Sequence, residues 1–425
     1  MNRLLRTSLL TTLCLALACG TGAVDNQNQN QDPINQNQGN QTHQNQNQVE
    51  HPDPATLRVA TFNASLYRTE QGALAEELST PGSEQPSQIA EIIQIIRPDV
   101  ILLNEFDYDA EGQAAAGFDE NYLRVGQGDQ EPIEYPYIQV FPSNTGVSTG
   151  IDLTTGESFE PAVGTEDYAQ NSYGYGIFPG QYAFAVFSKY PLVDDEARSF
   201  QTFLWADLPD HRIPEDYYAP EALEIFRLSS KNHVDLPIDV GGHRLHLVAA
   251  HPTPPAFDGP EQRNVRRNLD EVRLIHDYIR PDRSTYLYDD NGREGGLSEE
   301  AFFVIVGDLN ADPFDGGASE AIAALLSDPR VTDPEPTSEG GQIFGESSWG
   351  EDQNHQGPHN QDTANFNPNV GNLRVDYAIP SSNLIVEESA VFWPAPDQEF
   401  ADLVEATDHR MVWVDVTLDR AAVME

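Results

Sequence analysis

The apolar run 301–306 (Ala-Phe-Phe-Val-Ile-Val) stops at Gly307 and is followed at once by Asp308-Leu309-Asn310. A stretch of β-formers with no polar position reads as a strand buried on both faces, so this chain has to build layers around a sheet. Strand side chains alternate, which predicts that Asp308 and Asn310 face one ligand while Leu309 turns into the core. An acid and an amide in that pose suit a hydrated cation or a phosphoryl oxygen. Acidic turns after strands also serve as helix caps, so the motif needs company.

That company is spread along the chain. Residues 57–62 alternate as a strand and end at Asn63; residues 85–97 carry Ile89, Ile92, Ile93 and Ile96 at helical spacing and stop at Pro98; residues 99–103 predict a second buried strand ending in Asn104-Glu105. Open α/β sheets place ligands at such carboxyl ends. Further strands are predicted at 182–187, 224–228, 245–250, 373–379, 390–393 and 411–416, with helices at 261–279 and 318–326. Residues 107–180 are rich in Gly, Tyr, Asp and Gln and predict a long insertion bordering the site, with one strand at 137–141. Strands outnumber helices, which predicts two packed sheets with helices outside.

The N-terminal segment follows different rules. Arg3 and Arg6 precede an apolar run at 9–17 that closes on Ala18-Cys19-Gly20, the zones of an export signal. The run is too short for a membrane span. Residues 15–19 (Leu-Ala-Leu-Ala-Cys) resemble a bacterial lipoprotein box, which implies a signal over 1–19, lipidation at Cys19 and attachment to the cell envelope, with the outer membrane as destination; plain secretion is the alternative. Residues 26–48 are almost entirely Asn and Gln, with no apolar cluster to bury, and predict a disordered tether over 20–56. The globular domain is expected over 57–418, with a tail at 419–425. Cys14 and Cys19 are the only cysteines, so the mature domain has no disulfide and no thiol nucleophile or ligand.

A formal charge of −46 argues against a lasting nucleic-acid complex, because binders of polyanions carry basic fields that release counterions. A metal site still accepts a phosphate locally, since the cation inverts the sign of its surroundings. A glycosidase carboxylate pair leaves the histidines and asparagines unused. No Gly-x-Ser-x-Gly elbow is present to seat a serine nucleophile.

Polar residues of one chemical kind sit at the predicted strand ends: Asn63, Glu105, His251, Asp308 with Asn310, and Asp376, joined by Asp408-His409 before the last strand. In that order they resemble the endonuclease/exonuclease/phosphatase superfamily of deoxyribonuclease-like proteins. The resemblance lies in 61–63 (Thr-Phe-Asn), 103–107 (Leu-Asn-Glu-Phe-Asp), 307–310 (Gly-Asp-Leu-Asn) and 408–410 (Asp-His-Arg). Asn104 stands where many members have glutamine. The resemblance implies a four-layer α/β sandwich, with two mixed β-sheets flanked by helices, and divalent-metal-dependent hydrolysis of phosphoesters. It implies that Asn63 and Glu105, helped by Asp408, hold Mg²⁺ (or Mn²⁺, with Ca²⁺ as a further choice). It also implies that Asp308 and Asn310 orient water and phosphate, that Asp376 buttresses His409, and that His251 protonates the leaving oxygen.

Lys231, Arg263 and Asn264 are further candidates for phosphate contact, set against a solvated lysine and helix-surface pairing of Arg266 and Arg267 with Asp270 and Glu271. The expected substrates are small phosphoesters at the cell exterior, with a nonspecific secreted endonuclease or a noncatalytic surface-binding module on the same fold as alternatives, and a monomer is favoured.

Overall fold

The computed structural model describes residues 56–347, 355–366 and 370–418. The expected signal, Cys19, the tether up to residue 55 and the tail at 419–425 lie outside the described residues. Among the described residues, no helix is long and apolar enough to cross a membrane.

Among the described residues, thirteen strands run in chain order as β1 (Leu57–Asn63), β2 (Val100–Asn104), β3 (Tyr137–Phe141), β4 (Phe184–Ser188), β5 (Arg198–Ser199), β6 (His233–Val240), β7 (His243–Ala250), β8 (Phe302–Asp308), β9 (Ala364–Asn365), β10 (Asn372–Leu373), β11 (Asp376–Pro380), β12 (Ile385–Val391) and β13 (Val412–Thr417). Two large sheets result, one ordered β12-β13-β1-β2-β4-β3 and the other β11-β8-β7-β6-β5. Each is mixed: β1 runs parallel to β2 and β7 parallel to β8, while the other pairs in both are antiparallel.

The apolar runs are explained by what each face meets. Val100 and Leu102 of β2 join Val304 and Val306 of β8 in a core between the sheets. Ile101 and Leu103 face outward onto Ile89, Ile92 and Ile93 of the helix Glu84–Ile96. Phe303 and Ile305 face the other way, onto Val272 and Ile275 of the helix Arg263–Tyr278. Alternation therefore persists, but both partners are apolar, and the sandwich has four layers: helix, sheet, sheet, helix.

Several expected boundaries move. The strand predicted at 224–228 is absent; Pro220–Leu223 is a short helix, and Arg227 makes only an isolated bridge to Leu204. The strand β6 was masked in the sequence by Asp235, Pro237 and Asp239. Pro237 is tolerated because its missing N–H points away from β7, to the side where β5 covers only Asp235 and Val234 and residues 191–193 make a single isolated bridge at Ile238. Asp376 opens β11 rather than closing a strand, and β11 is antiparallel to β8 with Asp376 opposite Asp308, so its first residue reaches the edge where β8 ends. The segment 107–180 contributes core as well as decoration: Phe118 and Tyr122 are buried against the helix side of the first sheet, and β3 is that sheet's edge strand.

Candidate active site

The ends of β1, β2, β7 and β8, the start of β11 and the loop before β13 bring their polar residues to one edge of the sandwich. Gly307 makes this convergence sterically feasible. Its φ is 147°, and a Cβ there would sit 1.9 Å from the carbonyl oxygen of Ala250, so any side chain would drive β8 away from the loop that carries His251.

Asp308 is the hub. Its Oδ2 accepts from Asn63 Nδ2 at 3.0 Å and lies 3.4 Å from His251 Nε2 and 3.7 Å from His409 Nε2. Its Oδ1 accepts from the Asn310 amide at 2.9 Å. His409 Nδ1 is 2.8 Å from Asp376 Oδ2, an oxygen that also accepts from the Thr363 hydroxyl at 2.9 Å. Asp308, Asp376, His251 and His409 are all buried.

Asn310 departs from the sequence expectation. The strand ends at Asp308, Asn310 adopts a left-handed φ of 51°, and its Nδ2 donates to the Pro252 carbonyl at 3.1 Å. It therefore ties the β8 loop to the His251 loop, while its backbone amide, rather than a strand-side carboxamide, serves Asp308.

Burial and charge set the protonation states. Burial alone would lower His409, but Asp376 and Asp308 overcome it and push the imidazole up to about 10. Burial pushes Asp308 up to about 6, against the pull of His409. His251 is held well below the ordinary imidazole range by burial, then by Lys231 and His409, and its Nδ1 has no hydrogen-bond partner among the described residues. Burial likewise raises Glu105, opposed by His409, and lowers Lys231. Lys231 Nζ contacts the Pro252 carbonyl at 3.4 Å and feels both Glu105 and Asp308, so it stands beside the acids. Asp408 is at the rim, its side chain 53% exposed and 4.0 Å from His409 Nε2.

Arg263 and Asn264 are placed elsewhere. Arg263 reaches Tyr217 Oη and Glu261 Oε1, both at 3.1 Å, and Asn264 Nδ2 donates to the Ala256 carbonyl at 2.7 Å. Both line an adjoining cavity of about 550 Å³, which Thr253 and Pro254 connect to the His251 loop. Arg266 and Arg267 do not make the expected helix-surface pairs. Arg267 is buried and donates to the carbonyls of Leu228, Tyr173 and Arg227, while Arg266 donates to that of Arg212.

The same helix holds residues that sequence reasoning missed. Glu271 accepts from the amides of Ser230 and Thr253, both at 2.6 Å, and so straps the Lys231 loop to the His251 loop. Asn268 Nδ2 donates to the carbonyls of Thr253 at 2.8 Å and Leu309 at 3.0 Å. At the rim, Tyr67 and Tyr182 pack with ring centroids 4.6 Å apart, and Glu105 acts electrostatically on both. Asp107, pushed up to about 7 by burial, accepts from the amides of Arg68 and Tyr182.

The sequence model of the Endonuclease/Exonuclease/phosphatase family matches residues 60–409, from the first strand to His409. The chain belongs to this family. Its members are metal-dependent phosphoesterases and nucleases, and the two mixed sheets flanked by helices are the family's α/β sandwich. No curated protein matches the sequence.

The solved structures similar to it include the following three. An endonuclease/exonuclease/phosphatase from Beutenbergia cavernae is 17% identical, with 85% of this chain and 72% of that one covered and a TM-score of 0.46. A variant of beta toxin from Staphylococcus aureus with bound magnesium ions is 15% identical, with 85% and 99% covered and a TM-score of 0.43. The catalytic domain of human Nocturnin with a bound sulfate is 13% identical, with 86% and 95% covered and a TM-score of 0.43.

The donor set fits a hard divalent cation. Glu105 and Asp308 are acids raised by burial, the charge imbalance that a cation relieves, and Asn63 Oδ1 takes one amide bond, from Ser65 at 3.2 Å, leaving a lone pair. Asp308, Asp376 and His409 also have ligand-type atoms within 4.8 Å of one another. In that trio Asp376 and His409 already share a short hydrogen bond, and Asn63, Glu105 and, at the rim, Asp408 are the further oxygen donors at this edge.

Proposed function

We propose that this protein hydrolyses small phosphoesters by attack of water on phosphorus, with Asn63, Glu105 and Asp408 holding Mg²⁺ or Mn²⁺. A bound divalent cation would draw charge from a nonbridging phosphoryl oxygen and offset the acids around it. The observation that carries the reading is Asp308: one buried carboxylate oxygen meets an amide and two imidazoles, and burial pushes its pKa up to about 6. Asp308 accepts the proton of the attacking water, the task for which such a pKa is suited.

His409 remains cationic through its bond to Asp376 and stabilises the charge that builds on the phosphoryl oxygens. His251, neutral by burial, hydrogen-bonds the phosphoryl group or the departing oxygen. Lys231 adds a second positive charge beside the acids. The departing group extends past Thr253 and Pro254 into the cavity lined by Tyr175, Tyr217, Arg263 and Asn264. A cavity of that size suits a compact group, and the chain's −46 charge disfavours a long polyanion, so small phosphoesters are favoured over DNA.

Hydrolysis of bis-p-nitrophenyl phosphate and of a panel of small phosphomonoesters and diesters, run beside a plasmid-nicking assay, tests this reading. Turnover on the panel, loss on chelation and recovery with Mg²⁺ are expected. Efficient nicking with no turnover on the panel would transfer the function to nucleic acid, and no turnover on either substrate would leave the noncatalytic alternative. The N-terminal segment is part of the same proposal, as a lipid anchor on Cys19 that presents the domain at the cell exterior. Globomycin should trap the uncleaved precursor, and an unmodified soluble N-terminus would reject the anchor.

A further inference from the structure

A second group of potential ligands lies outside the catalytic edge: His355, His359 and Asp362, with ligand-type atoms all within 4.8 Å of one another. They occupy the segment leading into β9. His355 Nε2 is 3.4 Å from Asp362 Oδ1, His359 Nδ1 is 3.6 Å from Asp362 Oδ2, and the two imidazoles stack with centroids 4.4 Å apart and planes at 16°. Imidazole lone pairs lie in the ring plane, so an ion would be taken at the ring edges that face Asp362 rather than between the ring faces.

Both rings are held in place from behind. Asp315 lies 3.1 Å from His355 Nδ1 and also accepts from the backbone amides of Gln356 and Gly357, so its carboxylate fixes the tautomer that leaves Nε2 free to ligate. A carboxylate behind a histidine is the usual support of a metal-bound imidazole. Gly345, in the helix Glu339–Ser347, lies so close to His359 that a Cβ there would be 2.2 Å from the ring. The His355 and Asp362 side chains are 4% and 2% exposed, and that of His359 is 25% exposed, which leaves an approach from one side.

We infer that His355, His359 and Asp362 form a second metal site, of two imidazoles and one carboxylate, that binds Zn²⁺ or a similar transition-metal ion. Nitrogen donors separate it from the oxygen-rich catalytic set, so the two sites sort ions by hardness. The role is structural. Asp362 precedes Thr363, whose hydroxyl donates to Asp376 and accepts from the Val375 and Asp376 amides, and Ala364 bridges to His409. An ion here braces the segment on which the Asp376–His409 pair leans.

The test uses the full chain, stripped with chelator and titrated with Zn²⁺ alone, and with Co²⁺ for its visible spectrum, in excess Mg²⁺. One tightly held Zn²⁺ per chain, a rise in Tm on Zn²⁺ addition and intense Co²⁺ d–d bands are expected. Asp308→Asn should keep all three. His359→Gln and His355→Gln should weaken Zn²⁺ about 100-fold and abolish the Co²⁺ bands, and Asp315→Asn should weaken Zn²⁺ about 10-fold while retaining the ligands. Circular dichroism of the metal-free variants, matching that of the metal-free wild type, guards against misfolding. Asp315→Asn gives a second reading should a histidine variant fail to fold. Retention of Zn²⁺ by a folded His355→Gln/His359→Gln double variant, loss of binding in Asp308→Asn instead, or a wild type that holds no Zn²⁺ would each overturn the site.

Discussion

The catalytic edge and the cavity beside it are built by opposite means. The edge takes most of its groups from strand ends or residues next to them, with His409 from the loop before β13, so Asn63, Asp308 and Asp376 inherit their positions from register: Asn63 faces Asn104 across β1 and β2, and Asp376 faces Asp308 across β11 and β8. The cavity takes its walls from loops and helix ends, with Tyr175, Tyr217 and Arg263 drawn from three separate segments. Rigid ladders fix the chemistry, whereas irregular segments are free to vary what is recognised. The contrast predicts that changes at the edge act on kcat and changes in the cavity act on KM.

The largest effect should follow Asp308→Ala, a fall in kcat of about 1,000-fold or more at nearly unchanged KM, since the proton acceptor and the hub of the cluster vanish together. A KM effect with kcat preserved would erase the distinction between the two regions. Asp376→Asn should lower kcat about 100-fold by freeing the imidazole to change tautomer, and should bring the His409 pKa down from about 10, which an NMR titration of that ring would read. Arg263→Ala should raise KM about 10-fold and spare kcat, as loss of a group that contacts the substrate away from the reacting bond. If Arg263→Ala instead lowers kcat, the cavity belongs to the chemistry.

The smallest effects concern pH. Protonation of Asp308 removes the acceptor, so kcat/KM should fall as pH drops through about 6. For stability the sign runs through His409. Its folded pKa is raised, so its contribution is complete below the ordinary imidazole value of 6.5 and is lost as pH rises through about 10. Wild type should therefore outmelt His409→Gln near pH 6, and the gap should narrow toward pH 10.

What the sequence disclosed follows the same division. Runs such as 301–306 announce buried strands, and polar residues at their ends are conspicuous because they interrupt an apolar pattern. Register then brings Asn63, Glu105, His251, Asp308, Asp376 and His409 to one edge, a consequence of strand order that no local window contains. Glu271 and Asn268 were hidden for a different reason. They sit among charged neighbours on a helix that reads as solvated, yet that polar face is turned inward to bind loop amides and carbonyls. The strand β6 was obscured by its own Asp and Pro residues, which survive beside a two-residue neighbour. Arg263 and Asn264 read as phosphate contacts, but polar character alone does not say which concavity a helix end borders. The cluster of His355, His359 and Asp362 draws its meaning from Asp315, forty residues before His355, a contact that only the fold makes.

The pairing of β1 with β13 sets Leu57 against Val416, nearly the whole domain apart in sequence, and the loop entering β13 carries His409. A ribosome must therefore finish the final strand before the first can find its second neighbour in the sheet, and closure over so long a separation is slow. A truncation that removes residues from 409 onward would take away His409 and leave β1 paired with β2 alone.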